Sequence, residues 1–294
     1  MIRFPNVSPD IFSINLFGIE FALRWYALSY IAGFFIAIWV MKYFTSRGHF
    51  WKHNTGPLER DEVENLITYL ILGVILGGRL GYVLFYNLEF YLENIGDILR
   101  VWDGGMSFHG GFLGVVLAAI IYVRRHGILL WSGADLIALS AGPGIMLGRI
   151  ANFINAELWG RPTDVAWGVI FPGERAQQCV GVIGECARHP SQLYEAGLEG
   201  LGLFIILIIF AFSGALRRPG VITGLFLLIY GAGRYFVEFF RVPDPQFFSD
   251  ANPFGFAYWF GDFGVTMGQA LSLPMIGLGA LTILWKMRQP QTGK

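Results

Sequence analysis

Charge is scarce in this sequence. Asp, Glu, Lys and Arg make up 14% of its 294 residues, whereas a soluble domain carries about a quarter. That excludes a disordered, highly charged chain. The 21 Lys+Arg are balanced by 21 Asp+Glu, so there is no basic field for nucleic acid. Cysteine is nearly absent as well. Cys179 and Cys186 are the only two, too few for a disulfide scaffold or a metal site. No Walker loop, dinucleotide fingerprint or His-Glu-x-x-His is present. No internal repeat is visible, which counts against transporters built from inverted halves. Glycine is abundant at 39 but has no three-residue period, so collagen is excluded.

Hydrophobic residues are present in excess, at 54% of the chain, with a mean hydropathy of +0.53. A globule of this size lacks the core to hide so many long apolar runs. A spanning helix needs about 20 mostly apolar residues, and seven stretches qualify, at roughly 22–42, 65–87, 107–123, 133–153, 193–213, 220–240 and 267–286. The sequence therefore predicts an all-α integral membrane protein, one polytopic domain over 1–294 with about seven transmembrane helices. No removable signal peptide is expected, so the first helix stays as an anchor. Basic residues recur in every second connection: Lys42, Arg47, Lys52 and Arg60, then Arg124 and Arg125, then Arg217 and Arg218, then Lys286, Arg288 and Lys294. By the positive-inside rule these face the cytoplasm, which puts the N-terminus in the periplasm and the C-terminus in the cytoplasm. The longest outer segment, 154–192, is read as a small periplasmic insertion. It holds both cysteines, whose pairing the sequence leaves open. The proline- and aromatic-rich stretch 242–266 is read as an interfacial loop, and Met1 to Glu20 as an arm on the outer surface.

A charge inside a span costs several kcal/mol, so each one asks for a reason. Arg149 lies in Gly-Arg-Ile-Ala-Asn-Phe-Ile-Asn-Ala-Glu-Leu-Trp-Gly at 148–160. Arg149 and Asn152 share a helical face, with Asn155 and Glu157 at the helix end. A guanidinium fork beside amides suits a phosphate or carboxylate; the alternative is an Arg paired to Glu157 to pin two helices. Arg234 has Glu238 four residues on and Arg241 three further, a spacing that also fits an intrahelical pair. Gly231 and Gly233 beside it admit a ligand or a helix closely. Arg79, among glycines, is read as structural. His109 opens a helix between paired glycines, which let a substrate reach the backbone. Its imidazole is a candidate general base. Tyr26 fits an aromatic belt or a hydrogen bond into the same region.

These motifs resemble the bacterial prolipoprotein diacylglyceryl transferases along nearly the whole chain. The match includes Arg-Trp-Tyr at 24–26, Gly-Gly-Arg-Leu-Gly-Tyr at 77–82, Trp-Asp-Gly-Gly-Met-Ser-Phe-His-Gly-Gly at 102–111, the 148–160 run, His-Pro-Ser-Gln-Leu-Tyr-Glu at 189–195 and Val-Glu-Phe-Phe-Arg at 237–241. Ala156 departs from the family, where many members have Gly. The resemblance implies a multi-pass enzyme of the bacterial inner membrane that moves the diacylglyceryl group of phosphatidylglycerol onto the lipobox cysteine thiol of a preprolipoprotein, releasing glycerol phosphate. It implies no metal or other cofactor and no nucleic-acid partner. Under it, Arg149 and Arg234 hold the phosphate, with Asn152 supporting Arg149. His109 is the expected base, with Glu157 as second choice or as the partner that orients the Arg. Glu238 holds Arg234 or Arg241, and Tyr26 and Arg241 help bind the lipid. The competing reading is a transporter or binder passing an anionic lipid or solute along the same arginines. A seven-helix receptor shares the topology but does not account for the Arg-x-x-Asn-x-x-Asn-x-Glu run.

Overall fold

Seven helices account for the apolar runs in the computed structural model, which describes residues 1–16, 19–179, 182–243, 245–249, 251–261 and 263–289. Lys294, counted above among the cytoplasmic charges, lies outside the described residues. The helices are α1 (Trp25–Thr45), α2 (Val63–Tyr86), α3 (Phe108–Arg125), α4 (Leu130–Ile154), α5 (Ser191–Phe212), α6 (Val221–Val237) and α7 (Met267–Arg288). Six are long and apolar enough to cross a membrane, and α6 is the shorter seventh.

The protein is mostly helical, but not purely so. The N-terminal arm includes β1 (Ile2–Arg3) and an antiparallel hairpin of β2 (Asp10–Leu16) and β3 (Ile19–Arg24). The hairpin delays the start of α1 to Trp25. β1 pairs in parallel with β4 (Val169–Ile170), and the stretch before α7 forms a ribbon of β5 (Tyr258–Phe260) and β6 (Phe263–Val265). Phe12 to Asn15 of β2 are exposed on both faces, and the weak alternation in the arm is what such a ribbon leaves in a sequence.

Two compact units divide the chain, residues 1–37 with everything from Ala138 onward, and Ile38–Ile137. The expected single domain covers both. Within the second unit α2 and α3 meet through glycines. A Cβ added at Gly77 would lie 2.4 Å from the Gly110 carbonyl oxygen, and one at Gly114 would lie 2.0 Å from that of Gly73. Small residues let the two backbones touch, which is how helices associate without a hydrophobic drive between them. Gly110 is therefore a packing residue, and the reading that it admits substrate to the backbone is corrected. Arg79 is buried and donates to the carbonyls of Ile98 (2.9 Å), Gly104 (2.6 Å) and Gly105 (3.2 Å), tying the 94–105 loop to α2.

Within the first unit α6 packs on α7, where a Cβ at Gly279 would lie 2.5 Å from the Leu228 nitrogen. A Cβ at Gly200 of α5 would lie 2.6 Å from the Met146 Cα of α4. The 154–192 segment has its own small core of Val169, Phe171 and Ala176, packed against by Phe4, Phe153, Ala156 and Trp159. Cys179 and Cys186 form a disulfide. Buried Arg188 threads this segment, donating to the carbonyls of Ala176, Gln178 and Gly160.

Candidate active site

Three chain segments are stitched together where α4, α5 and α6 reach one end of the first unit. The Gly160 N–H donates to the His189 carbonyl at 2.8 Å, the Arg161 N–H to Phe240 at 2.8 Å, and the His189 N–H to Arg161 at 3.0 Å. Ser191 and Gln192, at the start of α5, reach back to the carbonyls of Leu158 and Glu157. Leaving the helix at Glu238 is what brings Phe240 and Arg241 into this tie, and it ends α6 short of the predicted residue 240. Gly160 sits at the crossing. A Cβ there would lie 2.4 Å from the Phe240 carbonyl oxygen and 2.8 Å from His189. Gly160→Ala should therefore spread the crossing, costing about 1–3 kcal/mol. Melting of the detergent-solubilised protein would show the loss.

The tie brings together side chains far apart in sequence. Glu195 of α5 is fully buried. Arg149 of α4 approaches its Oε2 through Nε at 2.9 Å, and Arg234 of α6 donates from Nη1 to its Oε1 at 3.1 Å. Arg241 donates to the same Oε1. Glu238 takes the other edge of Arg234 at 2.8 Å and meets Arg241 Nε at 3.5 Å. It lies against Gly268 in the first turn of α7, where a helix N-terminus favours negative charge. The direct pairs thus set three guanidinium groups against two carboxylates, one positive charge in surplus. Neither Glu195 Oε2 nor Glu238 Oε2 accepts a hydrogen bond, so the Arg149–Glu195 approach is an ion pair off the hydrogen-bonding direction. The Arg149, Arg234 and Arg241 side chains keep 25%, 21% and 21% of their surface open. Burying two carboxylates among three arginines is worthwhile only if the desolvated charges are matched. The open faces of the three guanidinium groups suit a singly charged anion such as a phosphodiester.

The structure relocates some predicted partners. Arg149 pairs with Glu195 and not with Glu157. Asn152 is buried, and its amide donates to Glu157 at 2.7 Å, so among the described residues it holds Glu157 and has no bond to Arg149. Glu238 contacts both Arg234 and Arg241. Gly231 and Gly233 admit helices: Gly231 meets Ile276 of α7, and Gly233 meets Leu198 and Glu199 of α5. Tyr26 is half-buried at the start of α1. Its ring packs edge-on to Tyr30, which lies within electrostatic reach of Arg149 and Glu157. His109 is exposed at the second position of α3, after the helix cap Ser107, and belongs to the second unit. His189 meets the Tyr194 hydroxyl at 3.1 Å, and burial pushes its imidazole below the usual value, with Asp164 opposing.

Sequence reasoning assigns no role to Glu195 or Glu199. The available signal is two carboxylates four residues apart at the start of an apolar span, the same test that singles out Arg149 and Arg234.

A polytopic helical membrane protein with an arginine–carboxylate cluster buried among its helices is the class that this fold and site define. Comparison with known proteins narrows it. A sequence model of the family described as prolipoprotein diacylglyceryl transferase matches residues 14–285. The chain is 59% identical over 285 residues to the phosphatidylglycerol–prolipoprotein diacylglyceryl transferase of Ruegeria pomeroyi, covering 97% of each. It is 56% identical over 279 residues to the protein of the same name in Roseobacter denitrificans, covering 95% of each. With that of Methylocella silvestris it shares 43% over 289 residues, 98% of this chain and 97% of the other. The chain belongs to the prolipoprotein diacylglyceryl transferase family.

Proposed function

We infer that this chain transfers the diacylglyceryl group of phosphatidylglycerol to the thiol of a lipobox cysteine in a preprolipoprotein, the first step of lipoprotein lipidation, in the bacterial inner membrane. The convergence of Arg149, Arg234 and Arg241 on one buried carboxylate, in a member of this family, carries the reading. In the reaction the cysteine sulfur bonds to the glyceryl carbon, and that carbon's bond to the phosphate oxygen breaks. Glycerol phosphate leaves with the electron pair, and the thiol proton passes to a base. Negative charge grows on the phosphate oxygens, and pre-placed guanidinium groups at low dielectric stabilise it.

Arg149 and Arg234 are assigned to the phosphate, and Arg241 completes the cluster. Glu238 orients Arg234 and Arg241. Glu157, fixed by Asn152, is assigned to the headgroup together with Tyr26, whose ring neighbour Tyr30 lies within electrostatic reach of both Arg149 and Glu157. A free thiol is mostly protonated at neutral pH, so a base assists attack, and His109 is assigned that role. His109→Gln should lower kcat by about 10²-fold or more in the peptide assay. A folded His109→Gln variant that keeps the wild-type rate would move the base elsewhere. The 154–192 segment is placed in the periplasm, and the Cys179–Cys186 bridge supports that side because disulfides persist in oxidising compartments.

Purified protein incubated with phosphatidylglycerol and a lipobox peptide should raise the peptide mass by one diacylglyceryl unit. An unchanged peptide alongside protein-dependent movement of the lipid between leaflets would instead mark a transporter.

A further inference from the structure

One carboxyl in the cluster is used neither by the ion pairs nor by the chemistry above. Glu199 lies one turn beyond Glu195, in the π-helical stretch Ala196–Gly202 of α5. It is fully buried, and neither of its carboxyl oxygens has a hydrogen-bond partner. No cation lies within 4.0 Å of it among the described residues. The charged and titratable groups in electrostatic reach are Glu195, Arg149, Arg234, Arg241 and Tyr230. Gly233, next to Arg234, faces it with no side chain, the position of a built Cβ being 3.6 Å from Glu199 Cγ. Buried polar groups are almost always bonded, and one without a partner asks for an explanation. Single π turns concentrate at functional sites because they re-aim side chains within a helix. Here a π turn carries two unmet acceptor oxygens within electrostatic reach of the arginines that are assigned the phosphate.

We propose that Glu199 is a specificity-determining residue that accepts hydrogen bonds from the hydroxyls of the lipid headgroup while the arginines hold the phosphate. This rests on phosphatidylglycerol being the donor lipid. The terminal glycerol of that lipid carries two hydroxyls, its only strong hydrogen-bond donors, and Glu199 offers two unpaired acceptors. A site built around a hydroxyl rejects an analogue without it, because its own buried group then stays unpaired.

The test compares kcat/KM for phosphatidylglycerol with that for phosphatidylethanol, which keeps the phosphodiester and acyl chains and lacks both hydroxyls. The wild type should favour phosphatidylglycerol by about 100-fold or more, and Glu199→Ala should bring the ratio to within about threefold of unity by losing rate on phosphatidylglycerol alone. Glu199→Gln, close in shape and with one acceptor oxygen kept, should fall between the two while melting like the wild type. Equal loss on both lipids in folded Glu199→Gln, or a wild type indifferent to the hydroxyls, overturns the proposal. A wild type that makes no lipidated peptide from either lipid refutes the transferase reading itself and removes this proposal with it.

Discussion

Replacing Glu195 with alanine should abolish transfer and destabilise the protein more than any other single change at the site. One buried carboxylate serves three guanidinium groups, one from α4, one from α6 and one from the chain just beyond α6. Removing it leaves those charges facing one another with Glu238 as the one carboxylate still ion-paired to them among the described residues. Breaking a buried ion pair in this way costs about 3–5 kcal/mol, a large share of a typical stability of about 5–15 kcal/mol. In a chain of this length that corresponds to a fall of about 10 °C in melting temperature. Glu195→Gln keeps the volume and one acceptor oxygen, so it should melt higher than the alanine variant while still failing in transfer. Thermal melting in detergent, read beside the peptide assay, separates the two effects. A Glu195→Ala variant with wild-type melting and activity would show that the three arginines do not depend on the shared carboxylate.

The second large effect concerns the shape of Arg234. It bridges two carboxylates with two different nitrogens, Glu195 through Nη1 at 3.1 Å and Glu238 through Nη2 at 2.8 Å. A lysine at this position is a single point charge and cannot span both while also meeting a phosphate. Arg234→Ala should lower kcat/KM by about 10²–10³-fold, the usual effect of losing one transition-state donor. Arg234→Lys should recover less than about a tenth of the lost activity, although the charge is restored. Recovery to near wild-type rates by lysine would mean that charge alone matters, and the fork geometry would drop out of the mechanism.

The sequence shows much of this arrangement because the membrane makes charge conspicuous. Arg149 and Arg234 interrupt apolar runs, and the cost of burying them singles them out. The seven helices follow from run length alone. Less visible is what depends on contacts between distant segments. Glu195 and Glu199 stand near the start of α5, where a charge passes for a helix entry at the interface. Only the crossing of Gly160, His189 and Phe240 shows that this entry is packed inside. Arg241 reads as a loop residue until the bridge between Gly160 and Arg241 folds it back. Asn152 shares a helical face with Arg149, but its amide turns to Glu157, a choice of partner that spacing does not determine. Ala156 is instructive in another way. It adopts φ 51, the left-handed conformation that glycine takes without steric cost. This explains why a glycine would suit this position in related proteins.

A structure with phosphatidylglycerol bound gives the most direct test of the central claim. Guanidinium nitrogens of both Arg149 and Arg234 should lie about 2.7–3.1 Å from the lipid phosphate oxygens. A phosphate bound elsewhere, with both arginines still closed on Glu195, would contradict the account.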